Sequence, residues 1–547
     1  MLLTGTQSTI SHSSRKPRWP ATFVVALAWL TFTCGCLYSQ AERDRQTNLV
    51  PRPRLVLPES GFLTLPNLLL VQWSEVPETW RPDLSKRLDL LASQAGLRWG
   101  QATDLSGNDP WLVFQYSDTG AWSDLRREGY ELRVDNTGVT ITADSPEGFF
   151  YGLVSFQQLL PPQPEWNRPV VLALGTLVDW PVLSWRGLMV DSSRHFLSVG
   201  AIKSILELMA LHKLNRFHWH LTDDQGWRLE VPGWPALTAK AAWRTEVNGT
   251  VSGGFYSASN VREVVDYARE RQIVIIPEVD VPGHSSAALA AYPTLSGNGK
   301  PREVPLNWNV ADGVLSLGRP EVKQFTTDVL ATLIDLFPGP YIHWGGDEVF
   351  RTPWMTNPQS LAWMRSVKAT TAEAALAAFW NGLASQTLAS GKIPIGWDEV
   401  VVGKPPSGTV IQWWDTPERG LAAFKGGYNV ISSWKWNSYL DYPEFSWDSD
   451  RVSWMPLVPL GAVASNPFYP PATPQAQKNR LLGLEATLFS ERVTEGRWPR
   501  KLFPRLALFA EMAWRPVRGG VPGWETRLLY HRQRLESWGV GMVQVGQ

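Results

Sequence analysis

From Trp185 onward the chain repeats one unit: a short apolar run, a cluster of polar and aromatic residues, then a stretch of helix length. The apolar runs are residues 185–191, 215–221, 273–279, 341–346, 393–397, 409–414, 428–432 and 481–486, with helical spacing over 199–212 and 259–271. Eight strands alternating with helices predict an α/β fold, a (β/α)8 barrel, with an open doubly wound sheet as the alternative. The strand ends favour the barrel. They carry Asp191 and Arg194, Asp223-Asp224-Gln225, Glu278, Asp280 and His284, Asp347-Glu348, Trp397-Asp398-Glu399, Trp413-Trp414-Asp415, Tyr439 and Asp441, and Glu491. A barrel gathers such ends around one bowl, where barrel enzymes place their chemistry.

Ahead of this region lies a different pattern. Residues 55–74 read as strands broken by Pro58, Gly61 and Pro66, and residues 82–96 have helical apolar spacing. Residues 129–134 and 138–143 alternate and are joined by a turn at Asp135-Asn-Thr, a hairpin signature. Ser145-Pro-Glu-Gly148 opens a helix that Pro161-Pro162 ends. This is a small α+β domain, residues 42–177 with a linker at 41–54, followed by the barrel at 178–547.

Residues 1–41 read as a targeting segment. Arg15-Lys-Pro-Arg18 is a basic start, residues 21–32 are apolar, and Ser39-Gln-Ala41 offers small residues for cleavage, so export is expected. Cys34 and Cys36 are the chain's two cysteines, so cleavage after Ala41 leaves neither a disulfide nor a thiolate metal site. Lipidation of Cys36, or retention of residues 21–37 as an anchor, are the alternatives. The 51 basic and 51 acidic residues balance, which points away from nucleic acid. The 30 tryptophans are apolar plates suited to the C–H faces of sugar rings.

Among the strand ends, residues 341–350 stand out: a strand runs through Gly345-Gly346 into Asp347-Glu348. The glycines allow a close approach to the backbone, and the acids are expected as a buried, desolvated pair. A zinc site is a competitor, since His218 and His220 share one sheet face with Asp223, Asp224 and His284 near them. Histidines hydrogen-bonded in a layered barrel core fit the same pattern, and no His-Glu-x-x-His helix is present. No phosphate-cradling glycine motif occurs either, so neither metal nor cofactor is expected. Carboxylate chemistry on a sugar fits better. Ordinary glycosidases need two carboxyls across the scissile bond, about 5 Å or about 6.5–9.5 Å apart, and sequence neighbours cannot straddle a ring. A substrate that carries its own nucleophile, a 2-acetamido group, resolves this.

These residues, with Arg186-Gly-Leu-Met-Val-Asp-Ser-Ser-Arg-His195, His218-Trp-His-Leu-Thr-Asp-Asp-Gln-Gly-Trp-Arg228, Ile276-Pro-Glu-Val-Asp-Val-Pro-Gly-His284 and Gly396-Trp-Asp-Glu399, resemble the family 20 glycoside hydrolases, the β-N-acetylhexosaminidases. The likeness includes the small first domain. It implies an exo-acting retaining enzyme that removes terminal N-acetylglucosamine or N-acetylgalactosamine from oligosaccharides. Glu348 would be the general acid/base, Asp347 the residue orienting the acetamido group, and Tyr439 the donor to its oxygen. Arg194 would grip the 3- and 4-hydroxyls, and Asp441 and Glu491 the 4- and 6-hydroxyls. Trp397 and Trp414 would be walls, with Trp413 the alternative to Trp414, and Asp223 and His284 a charge network behind Glu348. Arg194 could instead merely pair with Asp191. The family usually has Trp where this chain has Phe489, so one wall is expected to be set back. A sugar-binding surface protein without turnover is the other reading of the same pocket. Oligomeric state is not legible.

Overall fold

A computed structural model describes residues 40–102, 111–118, 128–162, 169–308 and 313–540; the segment 1–39, with Cys34, Cys36 and the apolar stretch, lies outside them. Among the described residues no helix is long and apolar enough to cross a membrane.

The first domain is a seven-stranded sheet: β1 (Leu55–Thr64), β2 (Leu68–Ser74), β3 (Arg98–Gln101), β4 (Trp111–Tyr116), β5 (Tyr130–Asp135), β6 (Gly138–Ala143) and β7 (Val171–Asp179), in the order β1-β7-β5-β6-β4-β2-β3. The β5–β6 hairpin is as the turn residues predict. Helix α1 (Arg81–Ala95) ends at Gly96, in the left-handed region, and α2 (Pro146–Leu159) starts where the Ser145 side chain accepts from Gly148 N at 3.0 Å. Nearly every residue of α2 is buried, because it lies between two layers. Phe149 meets Phe114 of the sheet, while Tyr151 meets Trp514 of the following domain.

Three expectations for this region are corrected. Pro58 and Gly61 do not break β1; they sit where its register against β7 shifts, a bulge that an edge strand absorbs. Strand β7 continues past Leu177 to Asp179, whose carboxylate is buried against Lys213 Nζ (2.8 Å) and Trp514 Nε1 (2.9 Å). The third concerns residues 41–54, which are not a linker: 40–47 are helical and Glu42, Gln46 and Asn48 are buried.

The second domain is the expected closed barrel, which excludes the open sheet. Strands β8 (Trp185–Asp191), β9 (Arg216–His220), β10 (Val274–Glu278), β11 (Tyr341–His343), β12 (Ile393–Trp397), β13 (Val410–Trp413), β14 (Asn429–Ser432) and β15 (Leu481–Leu488) pair in parallel around the ring. Side chains two apart share a face, and this divides the interior by height. Trp185, Ile276, Ile395, Val410 and Ile431 make an apolar floor with Tyr341. Two residues further along their strands stand Glu278, His343, Trp397 and Gln412, buried like Glu485 and His218. The site is built on that polar layer.

Outside the ring run α3 (Val199–Leu211), α4 (Ala258–Arg269), α5 (Pro320–Leu336), α6 (Ala372–Ala389), α7 (Pro417–Lys425) and α8 (Arg505–Trp514), with α9 (Trp524–Ser537) last. The alternation is not complete. Between β12 and β13 the chain makes only a 3-10 turn, Asp398–Gly403, because the connection is near the minimum for a parallel crossover. Helix α9 leaves the barrel for the first domain. Its Arg534 donates to Asn48 O (2.9 Å) and Gln158 O (3.0 Å), and Tyr530 to Asp44 Oδ2 (2.8 Å).

His531 of α9 also meets His212, at the end of α3, through their Nε2 atoms at 2.7 Å. His212 Nδ1 lies 2.6 Å from Leu208 O, so it carries the proton, and His531 Nε2–H must donate to His212 Nε2. Both rings are neutral; burial holds His212 at about 4 and His531 below its ordinary value. The unfolded chain therefore binds more protons between about pH 6.5 and 4, and stability contributed by this pair is lost as pH falls through that window, by about 3 kcal/mol for His212. Urea midpoints measured from pH 7 to 4 should fall, and His531→Leu should be less stable at pH 7 with a shallower decline. An unchanged slope in that variant would show that the pair does not carry it.

Candidate active site

Asp347 and Glu348 follow β11 across Gly345 (φ +55) and Gly346 (φ +98). A Cβ on Gly345 would stand 1.9 Å from Asp280 Oδ1, and one on Gly346 2.7 Å from Val400, so side chains are excluded both by conformation and by space. Asp280 Oδ1 also accepts from Gly346 N at 3.0 Å. The turn is thereby clamped, with the two acids aimed into the bowl.

They are not the uniformly buried pair expected. The side chain of Asp347 is 16% exposed and that of Glu348 43%. Glu348 stands nearer the mouth of the bowl than Asp347, with its backbone in the left-handed region (φ +47) beyond the end of the strand. Asp347 Oδ1 is buried with no hydrogen-bond partner among the described residues. Burial, then Asp280, pushes its carboxyl well above the usual carboxylate range against the pull of His284. A neighbour that donates a hydrogen bond to it would offset that cost.

Behind the acids runs a chain of charge. His284 Nε2 lies 3.8 Å from both Asp347 Oδ2 and Glu348 Oε2, and its Nδ1 is 3.1 Å from Asp223 Oδ1. Asp223 accepts from Arg194 Nη2 at 2.8 Å and lies 2.9 Å from His220 Nε2. Although burial opposes it, Arg194 and His284 hold Asp223 far below the carboxylate range, and Asp223 in turn holds His284 above the imidazole range. Arg194 also reaches Asp191 Oδ2 (3.3 Å) and Gln225 Oε1 (3.3 Å), so pairing with Asp191 is one part of a larger clamp.

The opposite wall is aromatic. Trp397 donates to Glu278 Oε1 at 2.9 Å; Trp414 stands edge-on to it at 6.4 Å and lies nearly parallel to Tyr439 at 6.1 Å. Trp413 is buried and stacked on Trp434, so the indole at the pocket is Trp414. Phe489 lies 5.4 Å from Tyr439 and 6.4 Å from Trp397, with the Arg194 guanidinium 5.4 Å from its ring centre. Asp441 Oδ1 accepts from Phe489 N at 3.2 Å. Burial and then Glu491 push Asp441 up to about 8, and burial raises Glu491 against Arg194. Two such groups suit sugar hydroxyls, which can donate or accept.

His218 and His220 are accounted for without a metal. His218 lies between Glu278 Oε2 (3.0 Å) and Glu485 Oε1 (2.8 Å), and despite burial these acids push it up to about 9. His220 is held between Glu278 and Asp223. His218, Glu278 and His343, or Asp223, Asp280 and His284, lie close enough to share an ion; in this structure Glu278 and Asp223 pair with the imidazoles beside them.

The sequence placed Glu278, Asp280 and Glu399 at strand ends without a role, and Glu485 not at all. Asp280 clamps the glycine turn, Glu278 and Glu485 organise the histidines, and Glu399 accepts from Trp414 Nε1 at 3.1 Å. Glu485 could have been found from strand alternation, two residues beyond Gly483. Tyr442, 5.2 Å from Tyr439, and Trp454, edge-on to Tyr442 at 6.1 Å and 68% exposed, extend the wall outward; a loop without periodicity left no signal for them.

The family model described as "Glycosyl hydrolase family 20, catalytic domain" matches residues 183–517, and "Glycosyl hydrolase family 20, domain 2" matches 46–180. A beta-hexosaminidase of Porphyromonas gingivalis is 38% identical over 487 residues, covering 87% of this chain and 61% of that one. The chain thus spans less than two thirds of that relative's length. A beta-N-acetylhexosaminidase of Cellulomonas fimi is 33% identical, over 85% of this chain and 89% of that one. Among solved structures, an exo beta-N-acetylglucosaminidase of Vibrio harveyi in complex with N-acetylglucosamine superposes with a TM-score of 0.81 at 28% identity, covering 91% of this chain and 78% of that one.

Proposed function

The chain belongs to glycosyl hydrolase family 20, and from that premise we propose that it is an exo-acting retaining β-N-acetylhexosaminidase using the substrate's 2-acetamido group as nucleophile. One observation carries this reading. Asp347 and Glu348 follow the same strand and converge on one atom, His284 Nε2, at 3.8 Å, with carboxylate oxygens within 4.8 Å of one another, so both approach from one side of the bowl and not from opposite faces of a sugar ring, where ordinary glycosidases need them.

In this reading Asp347 Oδ1 accepts the acetamido N–H and Tyr439 donates to the carbonyl oxygen. That oxygen attacks the anomeric carbon as Glu348 protonates the leaving oxygen. Glu348 then takes a proton from the water that opens the bicyclic intermediate, and two inversions give retention. Arg194 holds the 3- and 4-hydroxyls, Asp441 and Glu491 the 4- and 6-hydroxyls, and Trp397, Trp414 and Phe489 enclose the acyl group. The leaving sugar lies toward the exposed face of Trp454. Its partners are glycans that end in N-acetylglucosamine or N-acetylgalactosamine.

Hydrolysis of 4-nitrophenyl N-acetyl-β-D-glucosaminide by the purified chain tests the reading. Binding of N-acetylglucosamine without nitrophenol release would favour a sugar-binding protein instead. Export is supported by the basic and then apolar start. N-terminal sequencing of the exported chain is expected to begin near Glu42, and a cytoplasmic chain retaining Met1 would refute it.

A further inference from the structure

Trp397 is buried, with its N–H on Glu278, but Trp414 is only partly buried and depends on the polar groups around it. Its backbone N–H donates to Asp398 Oδ2 at 3.1 Å, and its carbonyl accepts from Lys435 N at 3.1 Å. Lys435 Nζ lies 5.2 Å from the ring centre. The indole N–H donates to Glu399 Oε2, whose partner oxygen Oε1 accepts from Arg419 Nη2 at 3.2 Å. Arg419 is itself anchored by Asp398 Oδ1 at 2.6 Å. Glu399 can stand there because the chain after β12 turns at once into a 3-10 turn and not into a helix.

The χ2 angle of a tryptophan lies in a broad, roughly two-fold well, so stacking alone leaves the indole free to turn over. A hydrogen bond to a fixed acceptor at one edge removes that freedom. We propose that Glu399 is a positioning residue that fixes the plane of Trp414 and thereby sets the length of acyl group the pocket accepts. This rests on reading the pocket as the site of a 2-acetamido sugar. Glu399 itself does not act on the sugar, since both its oxygens are committed to Trp414 and Arg419. Burial, then Asp398 and Asp347, raise its pKa well above the carboxylate range. A glutamine keeps a carbonyl oxygen for Trp414, so Glu399→Gln is the conservative change.

The test compares kcat/KM on 4-nitrophenyl β-glucosaminides bearing N-acetyl or N-propanoyl groups. In Glu399→Ala the preference for acetyl over propanoyl is expected to fall at least about fivefold, with kcat on the acetyl substrate falling about tenfold. Glu399→Gln should keep both within about twofold of the unaltered chain. A merely structural role would lower both substrates equally in Glu399→Ala. That outcome, or a Gln variant as unselective as the Ala variant, overturns the positioning role alone. An unaltered chain that releases no nitrophenol from the acetyl substrate overturns both the role and the reading of the site.

Discussion

A 2-acetamido β-glycoside is expected to be cleaved with retention, and the matching β-glucoside at least about a thousandfold more slowly, roughly 4 kcal/mol in barrier. The two acids that follow β11 share one side of the bowl, and the far wall offers Asp441, which burial and Glu491 push up to about 8. A largely protonated carboxyl that faces sugar hydroxyls is a poor nucleophile at neutral pH. The acetamido oxygen fills the role intramolecularly, and such placement can be worth up to about 7–11 kcal/mol. Its loss cannot then be a modest one. Asp347→Asn should also lower kcat, since the amide would no longer offer a carboxylate to the substrate N–H. Proton NMR of the first-formed anomer and paired kcat/KM values check this. Comparable rates on the glucoside, or a sugar ester trapped on the protein, would overturn the mechanism and leave the family membership standing.

For Glu348→Gln the loss should depend on what departs. With a sugar or methyl leaving group, which needs a proton, kcat/KM is expected to fall about a thousandfold, within the usual reach of general acid catalysis. With an activated nitrophenol it should fall less than about tenfold, because kcat/KM reports the first bond-breaking step alone. The position of Glu348 supports this split. With 43% of its side chain exposed, it can meet leaving groups of many shapes, while His284 behind it links it to Asp223. Equal losses on both substrate types would show that Glu348 does not donate the proton.

The barrel was legible because eight apolar runs kept their spacing, and the site because polar residues follow those runs. What escaped has physical reasons. The 3-10 turn after Trp397 carries the same short apolar residues, Val400 to Val402, that a helix would use, and only the distance to Val410 rules the helix out. Residues 41–54 look polar, yet Gln46 and Asn48 are buried because their partners lie far along the chain: Gln46 donates to Leu174 O of β7, and Asn48 O accepts from Arg534 of α9. The exposure of Glu348 could not be read, since adjacency says nothing of depth. Asp280 was in plain view in its motif, but its part depends on the closeness of a glycine turn some 66 residues later.

The meeting of α9 with the segment ahead of β1 sets an order of assembly. Arg534 and Asn48, or Tyr530 and Asp44, are 486 residues apart in the chain, so loop closure between them is costly before the barrel exists. During synthesis the sheet of the first domain can pair its own strands early, while its leading segment must wait for the last helix to emerge. The final step of folding therefore fastens the segment ahead of β1 to α9, so weakening that helix loosens the first domain as well as the barrel.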